Sequence, residues 1–212
     1  MTEGPYKLPE GWRWVRLGEV CALIQTGFAF RKKGVSNGDL LHLRPYNIGD
    51  DGTLDLAQQF LVPSELIPDK AMKILYPGDV LFNNTNSIDL VGKTALVREQ
   101  MEAVFSNHIT LLRPETYKAE GAWVALALQA LWRQGFFAKV CNKWIGQAGI
   151  NTETLQKISI PLAPLDEQRR IVAHLAEIWE KIKAVKAAQD ATEARLRELE
   201  RSILDRAFRG EL

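Results

Sequence analysis

Two windows of the sequence combine basic and aromatic residues, which are the types that contact nucleic acids. The window from Phe28 to Asn47 contains one acidic residue, Asp39, and the window from Gly121 to Thr152 contains none. Lys and Arg bind phosphates with salt-dependent affinity, while Asn, Gln and Arg can read base edges. The windows predict a nucleic-acid surface. The alternative is that the aromatic residues form core and the cations a solvated face.

A run of hydrogen-bonding residues lies between these windows, Asn83-Asn84-Thr85-Asn86-Ser87. Amide side chains both donate and accept, so a loop of them on a rigid scaffold suits base readout. The same composition is also typical of an ordinary turn.

Motifs for catalysis and cofactor binding are missing. Val91-Gly92-Lys93-Thr94 ends like a phosphate loop, but Ser87 stands where the loop needs its first glycine. The three histidines are isolated, and Cys21 and Cys141 are far apart, which excludes a disulfide framework or cysteine-rich zinc site. We therefore predict no catalytic residue, no metal and no cofactor in this chain.

Composition narrows the protein class further. The 212 residues are 46% hydrophobic and 25% charged, and the net charge is +1. This excludes a uniformly basic nucleic-acid coat but not a local basic face. The longest apolar run, residues 122–132, is too short to span a membrane, and the first residues lack a secretory pattern. With two cysteines, the expected compartment is a reducing cytoplasm.

A change in composition near Pro164 predicts two parts, a globular domain over 1–165 and one long helix over 166–212. All 9 prolines and 14 of the 15 glycines lie in the first part. Asp166 and Glu167 suit the positive end of a helix dipole, and Gly210 suits a left-handed cap.

The second part carries a heptad seam, in which apolar residues recur by alternating steps of three and four. Its apolar members are Ile171, Leu175, Ile178, Ile182, Val185, Leu196, Leu199 and Ile203. A helix over 168–206 is roughly 58 Å long, too long for a small globule to bury. Part of the seam must therefore face a partner or a second copy. Gln189 and Thr192 interrupt the seam, where they either lie in solvent or fix the register of two helices.

The first part predicts an α+β fold with a mixed sheet, because short strands and helices alternate irregularly. The expected strands are Leu40–Leu43, Gln59–Val62, Asp79–Asn83, Val91–Val97, His108–Leu112 and Ile158–Leu162. The expected helices are Ser64–Met72 and Ala119–Val140, the latter interrupted near Gly135.

Several segments resemble the DNA-sequence specificity subunit of type I restriction-modification systems. The opening Leu8-Pro9-Glu10-Gly11-Trp12 and the segments Gly78-Asp79-Val80-Leu81-Phe82 and Val91-Gly92-Lys93 fit that family. The junction Ile158-Ser159-Ile160-Pro161-Leu162-Ala163-Pro164-Leu165-Asp166-Glu167-Gln168-Arg169-Arg170-Ile171-Val172 is the most specific match. Ala207-Phe208-Arg209-Gly210-Glu211-Leu212 also fits, so the resemblance covers the chain from end to end.

The resemblance implies a non-catalytic subunit. Its target recognition domain would read one half of a bipartite double-stranded DNA sequence, and its long helix would dock methyltransferase subunits. S-adenosylmethionine would be held by that adenine methyltransferase, and a motor-nuclease subunit for restriction is a further implied partner.

The chain has one recognition domain and one helix, whereas the usual family member has two of each. It is either a half-length subunit that forms a homodimer through an antiparallel helix pair or the first half of a longer chain. We favour the dimer, in which twofold symmetry predicts inverted half-sites separated by a gap.

The candidate DNA contacts come from the basic windows, the Asn-rich run and the Val91-Gly92-Lys93 segment. They are Arg31, Lys32, Lys33, Arg44, Asn47, Asn83, Asn84, Asn86, Lys93, Lys143 and Gln147. The seam residues are the candidate dimer and methyltransferase interface. Two other classes stay open: a coiled-coil interaction module without DNA binding, and a methyltransferase fragment.

Overall fold

The computed structural model describes residues 6–30, 38–69 and 71–212. Their fold is α+β with mixed sheets and a long C-terminal helix, which confirms the predicted fold class. Two compact units are distinguished, residues 1–169 and residues 170–212.

Short strands dominate the first unit. They are β1 (Arg13–Arg16), β2 (Cys21–Thr26), β3 (Leu40–Leu43), β4 (Leu61–Val62), β5 (Ile74–Leu75), β6 (Val80–Asn83), β7 (Thr85–Asn86), β8 (Thr94–Leu96), β9 (Met101–Phe105), β10 (Ile109–Pro114), β11 (Asn142–Trp144), β12 (Gln147–Gly149) and β13 (Ser159–Leu162). The helices are α1 (Leu17–Val20), α2 (Gly121–Arg133), α3 (Phe136–Val140), α4 (Thr152–Lys157) and α5 (Leu165–Phe208).

Two four-stranded sheets form the core of this unit. One has the order β2-β10-β6-β8 and is antiparallel throughout, and the other has the order β4-β3-β9-β5, with β3 and β9 parallel. Leu81, Phe105, Ile109 and Leu111 are fully or almost fully buried, and all four lie on the inner strands β6, β9 and β10. Such strands are buried on both faces, which is why they read as apolar runs rather than as an alternation.

A pairing between distant segments closes the domain. The strand β1 runs antiparallel to β13, with Trp14 opposite Pro161 and Val15 opposite Ile160. The start of the described chain therefore lies beside the strand that leads into α5.

A third sheet is small and has the order β11-β12-β7. The strands β11 and β12 form a hairpin, and β12 also pairs with β7, so that Ala148 lies opposite Asn86 and Gly149 opposite Thr85.

Most of the predicted elements are present, with shorter bounds. The predicted break near Gly135 is confirmed, because Gly135 has a left-handed φ of 69° between α2 and α3. The helix predicted over Ser64–Met72 is wrong. Among the described residues of this range, only Ser64–Leu66 form a helical turn, of the 3-10 type, because Pro68 lacks an N–H and keeps the preceding residue extended.

The helix α5 contains 44 residues and ends with Gly210 in the predicted left-handed cap, at a φ of 71°. From residue 176 onward its side chains are exposed in the single chain. These include Ile178, Ile182 and Val185.

Candidate nucleic-acid interface

The small sheet brings three of the sequence candidates together. Asn86 comes from the Asn-rich run, while Lys143 and Gln147 come from the acid-free window more than 50 residues later. Lys143 lies opposite Ala148 on the hairpin, and Ala148 lies opposite Asn86 on β7. Two segments that are distant in sequence thus form one surface.

The two faces of this sheet carry different side chains, because residues directly opposite each other point to the same side. Lys143, Ala148 and Asn86 share one face, and Ala148 is buried there. Trp144 and Gln147 share the other. Lys143 and Asn86 therefore lie on one face of the small sheet, and Gln147 lies on the other.

Lys143 and Gln147 are exposed, whereas Asn86 is half-buried. The side-chain oxygen of Asn86 accepts a hydrogen bond from the backbone N–H of Ser87 at 2.8 Å. Lys143 supplies a cation for phosphates, and the Gln147 amide can donate to and accept from a base edge.

The other two asparagines of the run are interior residues. Asn83 is fully buried and donates to the Leu90 carbonyl at 3.0 Å. Asn84 is buried too, and its amide donates to the Asn107 carbonyl and to the Thr110 hydroxyl. These amides hold the loop in place and have no surface from which to reach a base.

Asn47 also has a structural position. It is fully buried, accepts from the backbone N–H of Arg44 at 2.9 Å and donates to the carbonyls of Asp55 and Gln58 at 2.8 Å each. A side chain with its donors and acceptor satisfied inside the loop is a scaffold for that loop. We therefore keep Asn47, Asn83 and Asn84 out of the proposed base contacts.

The remaining cations differ in their surroundings. Lys93 Nζ lies 2.5 Å from an Asp50 carboxylate oxygen, so its charge is paired. The Arg44 guanidinium lies over the Phe60 ring at 3.8 Å, a cation–π contact. Arg31, Lys32 and Lys33 lie outside the described residues.

A buried histidine lies beside Arg44. The His42 ring is 1% exposed and packs edge-on against Phe28 and Phe60. Burial, and secondarily the charge of Arg44, lowers the pKa of His42 to about 4, so the imidazole is neutral near pH 7.

An ion pair between a buried carboxylate and a partly exposed guanidinium explains the Gly78-Asp79-Val80 segment. Both oxygens of buried Asp79 accept from the Arg113 guanidinium at 2.7 Å, and one also accepts from the Tyr76 backbone N–H. The hydrogen bond to Asp79 raises the pKa of Arg113. The pair holds β10 beside the turn that precedes β6.

Sequence reasoning missed the hairpin tip. Ile145 is 106% exposed and Trp144 is 60% exposed, between Lys143 and the turn residue Gly146. The available signal was an apolar pair directly before a glycine, inside a stretch without acids.

Among residues 6–30, 38–69 and 71–212, no group of His, Cys, Asp or Glu is arranged to hold a metal ion. Burial, with a smaller contribution from Glu115, raises the pKa of the Cys21 thiol to about 12. A thiol that stays protonated is a poor nucleophile. Over the same residues, none of the helices combines the length and apolarity needed to cross a bilayer.

Comparison with known proteins identifies the class. A family model described as the type I restriction modification DNA specificity domain matches residues 9–200. The putative type I restriction enzyme MjaX specificity subunit of Methanocaldococcus jannaschii is 26% identical over 172 residues, which cover 81% of this chain and 40% of that protein. The EcoKI specificity subunit of Escherichia coli (strain K12) is 27% identical over 209 residues, covering 97% and 44%.

Solved structures from type I restriction-modification systems are similar to this chain in fold and in sequence. The HsdS subunit from Thermoanaerobacter tengcongensis has a TM-score of 0.64 and 34% identity, covering 99% of this chain and 48% of that one. A chain from a study of assembly and conformational transition of the type I R-M system has a TM-score of 0.75 and 33% identity, covering 100% and 49%.

An α+β domain followed by one long helix is thus an architecture shared with type I specificity subunits. This chain belongs to the type I restriction modification DNA specificity domain family. The predicted membership in the type I specificity family is confirmed by that match and by the relatives' names. The chain spans about half the length, or less, of the relatives and structures compared.

Proposed function

We propose that this chain reads one half of a bipartite DNA target. In this proposal the first part, residues 1–165, is a target recognition domain, and the helix over 166–212 is a spacer. The observation that carries the proposal is the small sheet, because pairing of β12 with β7 brings half-buried Asn86 and exposed Lys143 and Gln147 onto the same three strands.

The hairpin suits duplex DNA in shape and in chemistry. A two-stranded ribbon fits the major groove, where amide side chains distinguish bases by paired donors and acceptors. Lys143 contacts a phosphate and sets the position of the ribbon, while Gln147 and Asn86 contact base edges. No carboxylate from the window 121–152 opposes the approach of the phosphates, because that window has none.

The helix provides the second half of the function. Its seam residues Leu196, Leu199 and Ile203 are all about half exposed in the single chain. Apolar seams of this length are stabilised by a second helix. We propose that a copy of this chain supplies it in antiparallel orientation, with Gln189 and Thr192 setting the register. Two recognition domains would then face inverted half-sites separated by a gap.

A methyltransferase completes the proposed assembly. The relatives are subunits of type I restriction enzymes, and in this proposal the chain positions an adenine methyltransferase that carries S-adenosylmethionine. A restriction subunit would join the same assembly where cleavage occurs.

The exposed seam also supports a second candidate, a coiled-coil interaction module that does not bind DNA. The two functions differ in one measurement. A DNA-reading chain shifts a random duplex in a salt-dependent way, whereas the interaction module leaves the duplex unshifted.

The decisive experiment recovers the tagged full chain from its source cells and measures the mass and composition of the complex. A methyltransferase with two copies of this chain, together with adenine methylation at gapped inverted sites in the genome, is the expected result. Recovery without a methyltransferase, and no shift of duplex DNA by the purified chain, would overturn the proposal.

A further inference from the structure

The tip of the β11–β12 hairpin carries an apolar side chain that the fold does not use. Ile145 is more exposed than any other large apolar residue that the structure describes. The turn needs Gly146, whose φ is 76°, but its other position suits polar residues such as Asn or Asp equally well. The Ile145 side chain therefore contributes nothing visible to the stability of the domain.

Trp144 is held away from the tip. Its ring lies against Gly149, where a Cβ would come within 3.0 Å of a ring carbon. The glycine thus leaves room for the indole on the face of the sheet. Trp144 therefore packs along the hairpin, and Ile145 is the side chain that projects at its end.

Hydrogen bonds to the Asn-rich run hold the base of the hairpin. The Ile150 N–H donates to the Asn84 carbonyl at 2.8 Å, immediately after β12. The Asn84 amide is itself fixed by Asn107 and Thr110 on the next strand and its turn. These hydrogen bonds fix the base of the hairpin against the neighbouring strands.

The surroundings of the tip point to DNA as its occupant. The exposed residues on either side of the turn are Lys143, Trp144 and Gln147, and the window 121–152 contains cations but no acid. An exposed apolar side chain beside a cation and an amide, in a window without acids, has the charge character of a DNA contact rather than of an apolar protein contact. Ile145 has the size and character of the Ile, Leu and Phe side chains that minor-groove-binding proteins insert between base pairs, here carried on the tip of a ribbon in the major groove.

We propose that Ile145 is a wedge that enters the base stack of the target duplex and opens one step. This inference rests on the proposed DNA-reading function and adds a specificity-determining residue to it. Pyrimidine–purine steps open most readily, so the wedge favours such a step within the half-site without any hydrogen bond to it.

The test begins with the full-length chain and a pool of randomised duplexes, from which bound sequences are selected. A selected duplex is then made with 2-aminopurine at successive positions, since this base fluoresces when unstacked. Wild type is expected to raise the fluorescence at one step. Ile145→Ser is expected to abolish the rise and to weaken binding to the selected duplex about tenfold, with little change on random DNA.

Two control variants make the result specific. Leu61→Ser removes another exposed aliphatic side chain, on β4, and should retain both the fluorescence rise and the affinity. Ile145→Leu should restore both, because it keeps an aliphatic wedge. The thermal unfolding midpoint of Ile145→Ser should equal that of wild type, since the side chain is fully exposed.

The wedge proposal would be wrong if wild type selects a sequence but raises the fluorescence at no position, or if Ile145→Ser binds the selected duplex as tightly as wild type. Either result would leave the proposed DNA-reading function unaffected. A wild-type chain that neither binds nor selects duplex DNA would overturn both.

Discussion

The side-chain oxygen of Gln168 accepts a hydrogen bond from the backbone N–H of Glu120 at 2.9 Å. The Gln168 amide nitrogen donates to the Ala163 carbonyl at 2.7 Å, and the residue is fully buried. Next to it, the Trp12 indole donates to Glu167 at 3.0 Å. Through these hydrogen bonds, the Asp166-Glu167-Gln168 junction joins the start of α5 to Glu120, the residue before α2. The residue types in this motif are therefore explained by their structural contacts.

Replacing Gln168 with Leu should destabilise the domain by about 2–3 kcal/mol, because it leaves a partly buried N–H and a buried carbonyl without their Gln168 partners. Urea unfolding followed by circular dichroism measures the loss. Gln156→Leu makes the same chemical change at an exposed position of α4 and should shift the midpoint little. Equal midpoints for the two variants would show that the Glu120 contact does not stabilise the fold.

Lys143→Ala should weaken binding to any duplex and reduce the slope of log K against log salt by about 0.9, the contribution of one phosphate contact. Fluorescence anisotropy over a salt series gives both quantities. Lys118→Ala is the matched control, because Lys118 is already paired with Glu115 at 2.6 Å. A slope unchanged from wild type would remove Lys143 from the interface.

Leu196→Asp should break the proposed helix pair, because it places an unpaired carboxylate in an apolar seam. The mass from light scattering should fall from that of a dimer to that of a monomer. Ala194→Asp adds the same charge to the same helix, two residues from the seam position and on the opposite side. It should leave the dimer intact. Equal masses for the two variants would place the contact elsewhere.

The buried His42 predicts that stability falls in mild acid. Its pKa is about 4 in the folded chain and near 6.5 when unfolded, so the unfolded state binds the proton first as pH decreases. Stability should be complete above about pH 6.5 and decline by at most about 1.4 kcal/mol per pH unit down to about pH 4. In His42→Leu the decline over this range should be smaller, as measured by unfolding at successive pH values. A decline equal to that of wild type would rule out this account.

The sequence alone determined the long helix, the α+β class and the family. Each depends on signals that are local or additive along the chain. A heptad seam repeats over many turns, a glycine cap follows it, and short strands are separated by Gly, Pro and Asn. The loss of the helix predicted at Ser64–Met72 shows the limit of such signals, because a single proline outweighed the apolar spacing.

Only the tertiary structure decided which amides are accessible. Asn83 and Asn86 are three residues apart in one polar run, yet the first is buried and the second borders the proposed interface. The difference arises from partners far along the chain: Asn83 lies in a central strand opposite Ile109, and Asn86 lies opposite Ala148. The residue type determines which donors and acceptors an amide side chain can pair with. Long-range strand pairing decides whether that capacity is used inside the fold or left at its surface, and no local pattern encodes that pairing.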